Sequence, residues 1–404
     1  MSQYIYKPAL FVLQIMKILK NSVCAVKGIK AAGKFVGIKS ASKKKDLAII
    51  YSEKLCNAAA MYTKNHVKGA PLYVTEEHLK NGKAQAAIVS SGIANVCTGK
   101  KGIEDAKEMC SLAAKELGLK KDDVLVASTG LIGAYLPMDV IKKGIQGIKN
   151  ELSNDSSNAA EAILTTDNFK KEIAVQVDNI TIGAICKGAG MIHPNMATML
   201  CFIFTDADFS SLRLKKMLKK SVDKSFNMIS VDMDTSTSDM AVLMANGLAG
   251  KISEDKFQKA LDFVCVELAK MVAVDGEGAT KLIEVDVINA KSEAEAKLLA
   301  KAVITSNLVK AACFGNDPNW GRIMSAIGCS GVKFKEDKVD IYFNDKSLVK
   351  GGKAASFDPN EVSKSMKTEK LIIKIDLNEG KGNGTAWGCD LTFDYVKINA
   401  HYHT

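Results

Sequence analysis

Lys187-Gly188-Ala189-Gly190-Met191-Ile192-His193-Pro194-Asn195-Met196-Ala197-Thr198-Met199-Leu200 is a bent, non-repetitive approach that ends in a threonine at the mouth of an apolar run. The run Met199 to Phe204 predicts a short buried strand, and two glycines, a proline and an asparagine upstream predict a bend able to strain one peptide bond. A threonine hydroxyl is a poor nucleophile until a base takes its proton. Cutting the chain before Thr198 would supply that base as the freed α-amine, which titrates near ~8. Taken alone, a threonine before a strand is most often just a β-branched residue.

Outward from this stretch the pattern alternates strand and helix. Ile173, Val175 and Val177 alternate with polar positions, turn at Asp178-Asn179 and resume at Ile180 and Ile182, so a hairpin delivers the chain to Lys187. Ala84 to Val89 reads as a strand. Gly102 to Leu119 follows as a helix, with Ile103, Ala106, Cys110, Ala113, Ala114 and Leu117 at helical spacing. Val124 to Ala127 is a second buried strand that opens into Ser128-Thr129-Gly130 before a helix around Met138 to Leu152. Beyond Thr198 a helix is expected near Leu212 to Phe226, then a longer one whose core stripe is Phe257, Ala260, Leu261, Val264, Leu268, Met271 and Val272. From Lys338 onward short alternating runs, Val339 to Phe343 and Leu371 to Ile375, predict strands, with a Gly-rich turn at Gly380 to Gly388. There is no solenoid period or Pro-rich linker, so the two halves are expected to pack as one unit.

At 404 residues the chain exceeds one simple core, and two lobes or a large layered α/β domain are expected. The net charge of +10 comes almost wholly from lysine; Arg213 and Arg322 are the only arginines. Nucleic-acid readers favour arginine forks, and pairs such as Lys215-Lys216 fit solvated helix faces, so no nucleic-acid partner is expected. Ten cysteines without a Cys-x-x-Cys argue against a metal site and for reduced thiols in a cytoplasmic compartment. The apolar piece Ala9 to Leu13 is too short to span a bilayer, so no membrane partner is expected and residues 1–22 read as an N-terminal extension.

Several constellations compete for attention. Gly28 to Phe35 has the glycine and lysine spacing of a phosphate loop, but Phe35 stands where a magnesium-binding hydroxyl is required. Asp232, Asp234 and Asp239 lack the glycine and distal glutamate of a calcium loop and fit a hydrogen-bonded turn. None of the five histidines lies in a nucleophile-elbow context, which shifts weight to histidine-free activation. Thr129-Gly130 can present an oxyanion hole or merely cap a turn. Asp275-Gly276-Glu277-Gly278 can be a helix C-terminal turn, and Lys187 a solvated hairpin end.

Read together, Lys187 to Leu200, Val126 to Gly130, Asp275 to Lys281, Gly315-Asn316-Asp317-Pro318-Asn319-Trp320-Gly321-Arg322 and Tyr395 to Ala400 resemble the ornithine acetyltransferase family of arginine biosynthesis. The likeness runs from about Val23 to Thr404. It implies layered mixed sheets with flanking helices in two intimately packed lobes, a DmpA/ornithine acetyltransferase-like fold. It also implies self-cleavage between Ala197 and Thr198 into an α chain, 23–197, and a β chain, 198–404, assembled as a heterotetramer of two α and two β chains. Implied too are glutamate N-acetyltransferase chemistry, with Thr198 as nucleophile, Thr129 and Gly130 as oxyanion hole, Glu277 as a further catalytic group able to hold an ammonium or help move a proton, and Thr165, Lys187, Thr198, Glu277, Asn399 and Thr404 lining the substrate pocket. N2-acetylornithine and glutamate are the implied substrates and no cofactor is implied; whether acetyl-coenzyme A is also a donor is not written in any motif.

Against the family pattern, Ser90 and Ile93 stand where asparagines are usual, Ala189 replaces a common serine and Ser238 an asparagine. These changes touch loop hydrogen bonding rather than the nucleophile. Two rival readings stay open: an amidase or aminopeptidase on the same self-processed scaffold, with water as acceptor, and an uncleaved binding or scaffold protein.

Overall fold

The computed structural model describes residues 16–39, 42–193 and 199–401. Among these the chain forms a nine-stranded and a seven-stranded sheet with helices between and around them, the α/β layering expected. Ala197, Thr198 and Thr404 lie outside the described residues.

The predicted hairpin is present as Lys171–Val177 and Ile180–Lys187, paired with Val177 opposite Ile180. Its two-residue turn places Asp178 at φ 51°, a left-handed conformation that Asp and Asn tolerate better than most residues. The next strand, Leu200–Ala207, pairs antiparallel with Ile180–Lys187, and Lys187 sits opposite Leu200. Residues 188–199 therefore connect two adjacent strand ends. Along Leu200–Ala207 the side chains alternate between two apolar layers: Phe202 and Phe204 enter one, Cys201 and Ile203 the other. Burial on both faces explains why this strand reads as an unbroken apolar run.

Two parallel pairs extend the sheet. Leu200–Ala207 runs parallel to Met240–Gly250, with helix Ser211–Lys224 in the crossover, and Lys83–Ile93 runs parallel to Val124–Leu131 across helix Gly99–Leu117. Long antiparallel strand Leu47–Tyr62 joins the two halves by pairing with both Met240–Gly250 and Lys83–Ile93. Helix Glu254–Val274 carries the predicted core stripe. Phe257, Leu261, Val264 and Leu268 are fully buried, and the helix packs against the hairpin strands of one sheet and against Gly382–Cys389 of the other. Each such side chain contributes roughly 1.5–3 kcal/mol of burial.

Three local expectations are corrected. Gly380 to Gly388 is a turn only at its start, because Gly382–Cys389 is a strand inside the second sheet, paired with Leu282–Ala290 and Ile229–Ser230. The glycines there serve close packing: a Cβ on Gly382 would lie 2.2 Å from the Ser292 carbonyl carbon, at the start of helix Glu293–Thr305. The helix expected over Met138 to Leu152 breaks after Met138–Ile145, since Gly147 turns left-handed at φ 72° before the 3-10 turn Ile148–Glu151. The strand of the second parallel pair does not stop at Ala127 but runs on to Leu131, so Thr129 and Gly130 pair with Ser91 and Gly92.

Within the segment read as an extension, Lys17–Leu19 pairs with Lys171–Val177 as an edge strand, and buried Ser22 donates to Ala184 O at 2.6 Å. The Gly28 to Phe35 stretch lies mostly in a strand, Ile29–Lys34, whose Gly33 presses against the backbone of Asn158. All ten cysteines are free, seven of them buried. Among the described residues no single helix is long and apolar enough to cross a membrane.

Candidate active site

Four strand or helix ends converge on one cavity of about 290 Å³, near the lower bound of small-molecule pockets at roughly 300 Å³. Thr129, Gly130, Thr165, Lys187, Glu277 and Asn399 all line it, so six residues spread from position 129 to position 399 meet at one place. Thr198 and Thr404, the remaining members of the implied set, lie outside the described residues. Two wider clefts, of about 610 and 400 Å³, carry none of these residues.

Lys187 ends its strand buried, at 9% exposure, and not as a solvated hairpin end. Its ammonium donates to Thr129 Oγ1 at 3.0 Å and to Thr165 Oγ1 at 3.1 Å. Because each threonine oxygen accepts from the cation, each hydroxyl hydrogen is left to donate elsewhere. Gly130, beside Thr129, has φ 127°, and a Cβ there would lie 2.3 Å from the Gly92 carbonyl, so only glycine lets the two strands close at this point.

Glu277 follows helix Glu254–Val274 in the turn capped by Asp275, and its N–H donates to Ala189 O at 3.0 Å. Its carboxylate Oε2 accepts from Asn399 Nδ2 at 2.9 Å, which places helix Phe393–Ala400 over the cavity. Gly190 leaves room for that carboxylate, since a Cβ at 190 would stand 2.4 Å from it. The cavity thus has a buried ammonium and a buried carboxylate on its wall, the two charges needed to hold an amino acid by its carboxylate and its ammonium.

The approach loop is tied down on its described side. Asp232 accepts from the N–H groups of Met191 at 2.6 Å, Ile192 at 2.8 Å and Asp234 at 3.2 Å, the hydrogen-bonded turn expected for the aspartate cluster. Met191 sits at φ 55°, and Thr235 Oγ1 donates to His193 O at 2.8 Å. Burial pushes the His193 imidazole down to about 4, with Lys301 acting in the same direction, so the ring is neutral at physiological pH. A Cβ added to Gly188 would stand 3.4 Å from the Cβ of Met199, the residue after Thr198.

Sequence reasoning missed part of this wall. Ser236, Thr237 and Ser238 also line the cavity, held by the loop at Thr63 to Gly69 through Thr63 Oγ1 to Ser236 O at 2.8 Å and Gly69 N to Thr237 O at 3.0 Å. Their clustering in Thr235 to Ser238 was the available signal. Conversely, the motif at Gly315 to Arg322 lines no part of the cavity: Asn316, left-handed at φ 54°, ends helix Asn307–Gly315, and the Asn319 side chain accepts from Arg322 N to start helix Trp320–Gly328.

Residues 30–404 match the model of the ArgJ family. The arginine biosynthesis bifunctional protein ArgJ of Caldanaerobacter subterraneus subsp. tengcongensis is 49% identical over 405 residues, covering 96% of this chain and 100% of the relative. ArgJ 1 of Clostridium acetobutylicum is 49% identical over 409 residues, covering 97% and 100%. A solved chain of the Bacillus halodurans ArgJ protein is 43% identical with a TM-score of 0.49, covering 50% of this chain and 98% of that one.

Proposed function

The chain belongs to the ArgJ family, and on that premise we propose that it transfers the acetyl group of N2-acetylornithine to glutamate through an acetyl ester on Thr198. The Thr198 hydroxyl attacks the acetyl carbonyl while the α-amine freed by cleavage takes its proton. The tetrahedral oxyanion faces the Thr129 hydroxyl, whose oxygen already accepts from Lys187 and whose hydrogen is therefore free to donate, and the Gly130 backbone. Ornithine leaves as the carbon–nitrogen bond breaks and takes up the proton. The glutamate amine then attacks the ester, giving N-acetylglutamate and restoring the threonine. Lys187 pairs the substrate carboxylate, Glu277 holds an ammonium or relays a proton, and Thr165, Asn399 and Thr404 shape the pocket.

Maturation uses the same hydroxyl against the Ala197 carbonyl, with the resulting ester resolved by water. The products are the segment ending at Ala197 and the segment 198–404, which stay associated, two copies of each forming a heterotetramer. The bifunctional label of the relatives extends the reading to acetyl-coenzyme A as a second acetyl donor. Ten free thiols fit a cytoplasmic location. The hydrolase alternative is not favoured, because the relatives are named for arginine biosynthesis.

The observation that supports the reading most is the meeting of Thr129, Gly130, Lys187 and Glu277 around one cavity that Gly190 and Met191 of the approach loop also line. Incubation with N2-acetylornithine, with and without glutamate, tests it. N-acetylglutamate formed only when glutamate is present supports transfer; acetate release indifferent to glutamate refutes it.

A further inference from the structure

Behind the cavity wall lies an ion cluster that no step above uses. Lys171 is 0% exposed, and its ammonium donates to Asp167 Oδ1 at 2.7 Å, to Asp275 Oδ2 at 2.5 Å and to Phe169 O at 3.4 Å, which occupies all three of its hydrogens. Both aspartates are buried as well, at 5% and 3% exposure. Each carries a second load. Asp167 also accepts from Gly188 N at 2.7 Å and from Thr165 N at 3.1 Å, while Asp275 accepts from Asn168 N at 3.1 Å and Asn168 Nδ2 at 2.9 Å.

The second loads are parts of the site. Gly188 follows Lys187, Thr165 shares the Lys187 ammonium, and Asp275 stands two residues before Glu277. We propose that Lys171 is a positioning residue: by clamping Asp167 to Asp275 it sets the cationic corner of the cavity, Lys187 with Thr165, at a fixed separation from the anionic corner at Glu277. The inference rests on the transferase reading and specifies how its two substrate-binding charges are held apart.

The energetics favour positioning over simple adhesion. Taking ions out of water is costly, and an apolar trio of equal volume is often as stable or more so. What the apolar trio lacks is direction: four N–H donors from two segments, Thr165 to Asn168 and Gly188, are oriented by two carboxylates that share one ammonium. Burial alone would push the Asp167 carboxyl up, but Lys171, Lys187 and the Gly188 N–H outweigh it and hold it well below the usual carboxylate range. Burial would likewise lower Lys171, yet Asp167 and Asp275 raise it, so the ammonium stays charged.

The test uses full-length Asp275→Asn, which keeps shape and removes one charge, and Lys171→Met. Steady-state transfer kinetics are paired with calorimetric titration of ornithine and of glutamate, and with thermal melts. The expected result is a folded variant whose KM and Kd for both amino acids rise together by about tenfold or more, with a smaller change in kcat, because ~1 Å of misplacement at two binding charges weakens both ligands at once. Should Lys171→Met fail to fold, Asp275→Asn decides alone. A folded Asp275→Asn protein with a lowered Tm but wild-type KM and Kd overturns the proposal, since that is what a merely structural cluster gives. Wild-type protein that binds both amino acids without transferring acetyl refutes the transferase reading, while the binding titrations still score the clamp.

Discussion

The Lys187 ammonium and the Thr129 hydroxyl oxygen lie 3.0 Å apart, joining the ends of two strands 58 residues apart in sequence. The same ammonium reaches Thr165, so one buried cation orders two hydroxyls that face a single cavity. Lys187→Met removes the cation and leaves both hydroxyls without their donor. Hydrogen bonds to a charged group are worth about 1.5–3 kcal/mol, so kcat/KM should fall by at least ~10-fold and toward 100-fold. Steady-state kinetics on protein with an unchanged circular-dichroism spectrum is the check, and kinetics within twofold of wild type would contradict the assigned role.

Gly130 and Gly190 should fail differently when a methyl is added. Gly130→Ala meets rigid Gly92 backbone at 2.3 Å and is held at φ 127°, so it should destabilise the fold by at least about 1–3 kcal/mol, visible as a lowered Tm. Gly190→Ala meets the end of the Glu277 side chain, which can swing away. Its Tm should stay close to wild type while KM rises.

Asn399→Ala frees the Glu277 carboxylate from its 2.9 Å donor. The bond reaches a carboxylate but is only part-buried, so the lower end of the charged-group range, about 1.5 kcal/mol, applies, and a change of roughly tenfold in KM is expected with little change in Tm. Asn399→Asp, which sets a second carboxylate against Glu277, should be worse than alanine. Equal kinetics for the two variants would show that Asn399 does not act on Glu277.

His193 supplies a pH dependence of known sign. Its folded value, about 4, lies below the ordinary value near ~6.5, so between those limits the unfolded chain binds the proton first. The stability it contributes is complete above ~6.5 and is lost as pH falls toward 4. Melts from pH 7 to 4.5 should show wild type losing more stability than His193→Gln. Parallel curves for the two proteins would mean that the imidazole is not held neutral.

Much of the fold was legible because each signal was local. The alternation from Ile173 to Ile182 required a two-residue turn at Asp178, and the unbroken run after Thr198 required a strand buried on both faces. Gly380 to Gly388 misled because glycine marks both turns and close contacts, and only the helix beginning at Glu293 shows that contact was the reason. The site was legible through family-specific strings rather than through local physics: Lys187 by itself reads as a solvated end. Lys171 was missed for a similar cause, since its carboxylate partner Asp275 lies 104 residues away and no spacing rule links them.

The central claim is that the backbone parts immediately ahead of Thr198, so that this residue gains an amine beside its hydroxyl. Intact-mass spectrometry of the purified full-length protein tests it most directly. Wild type should give two species whose masses sum to the 43.4 kDa chain plus one water, and Thr198→Ala one uncut species. A single uncut wild-type species with full transferase activity, or a second polypeptide starting at any residue other than Thr198, would contradict it.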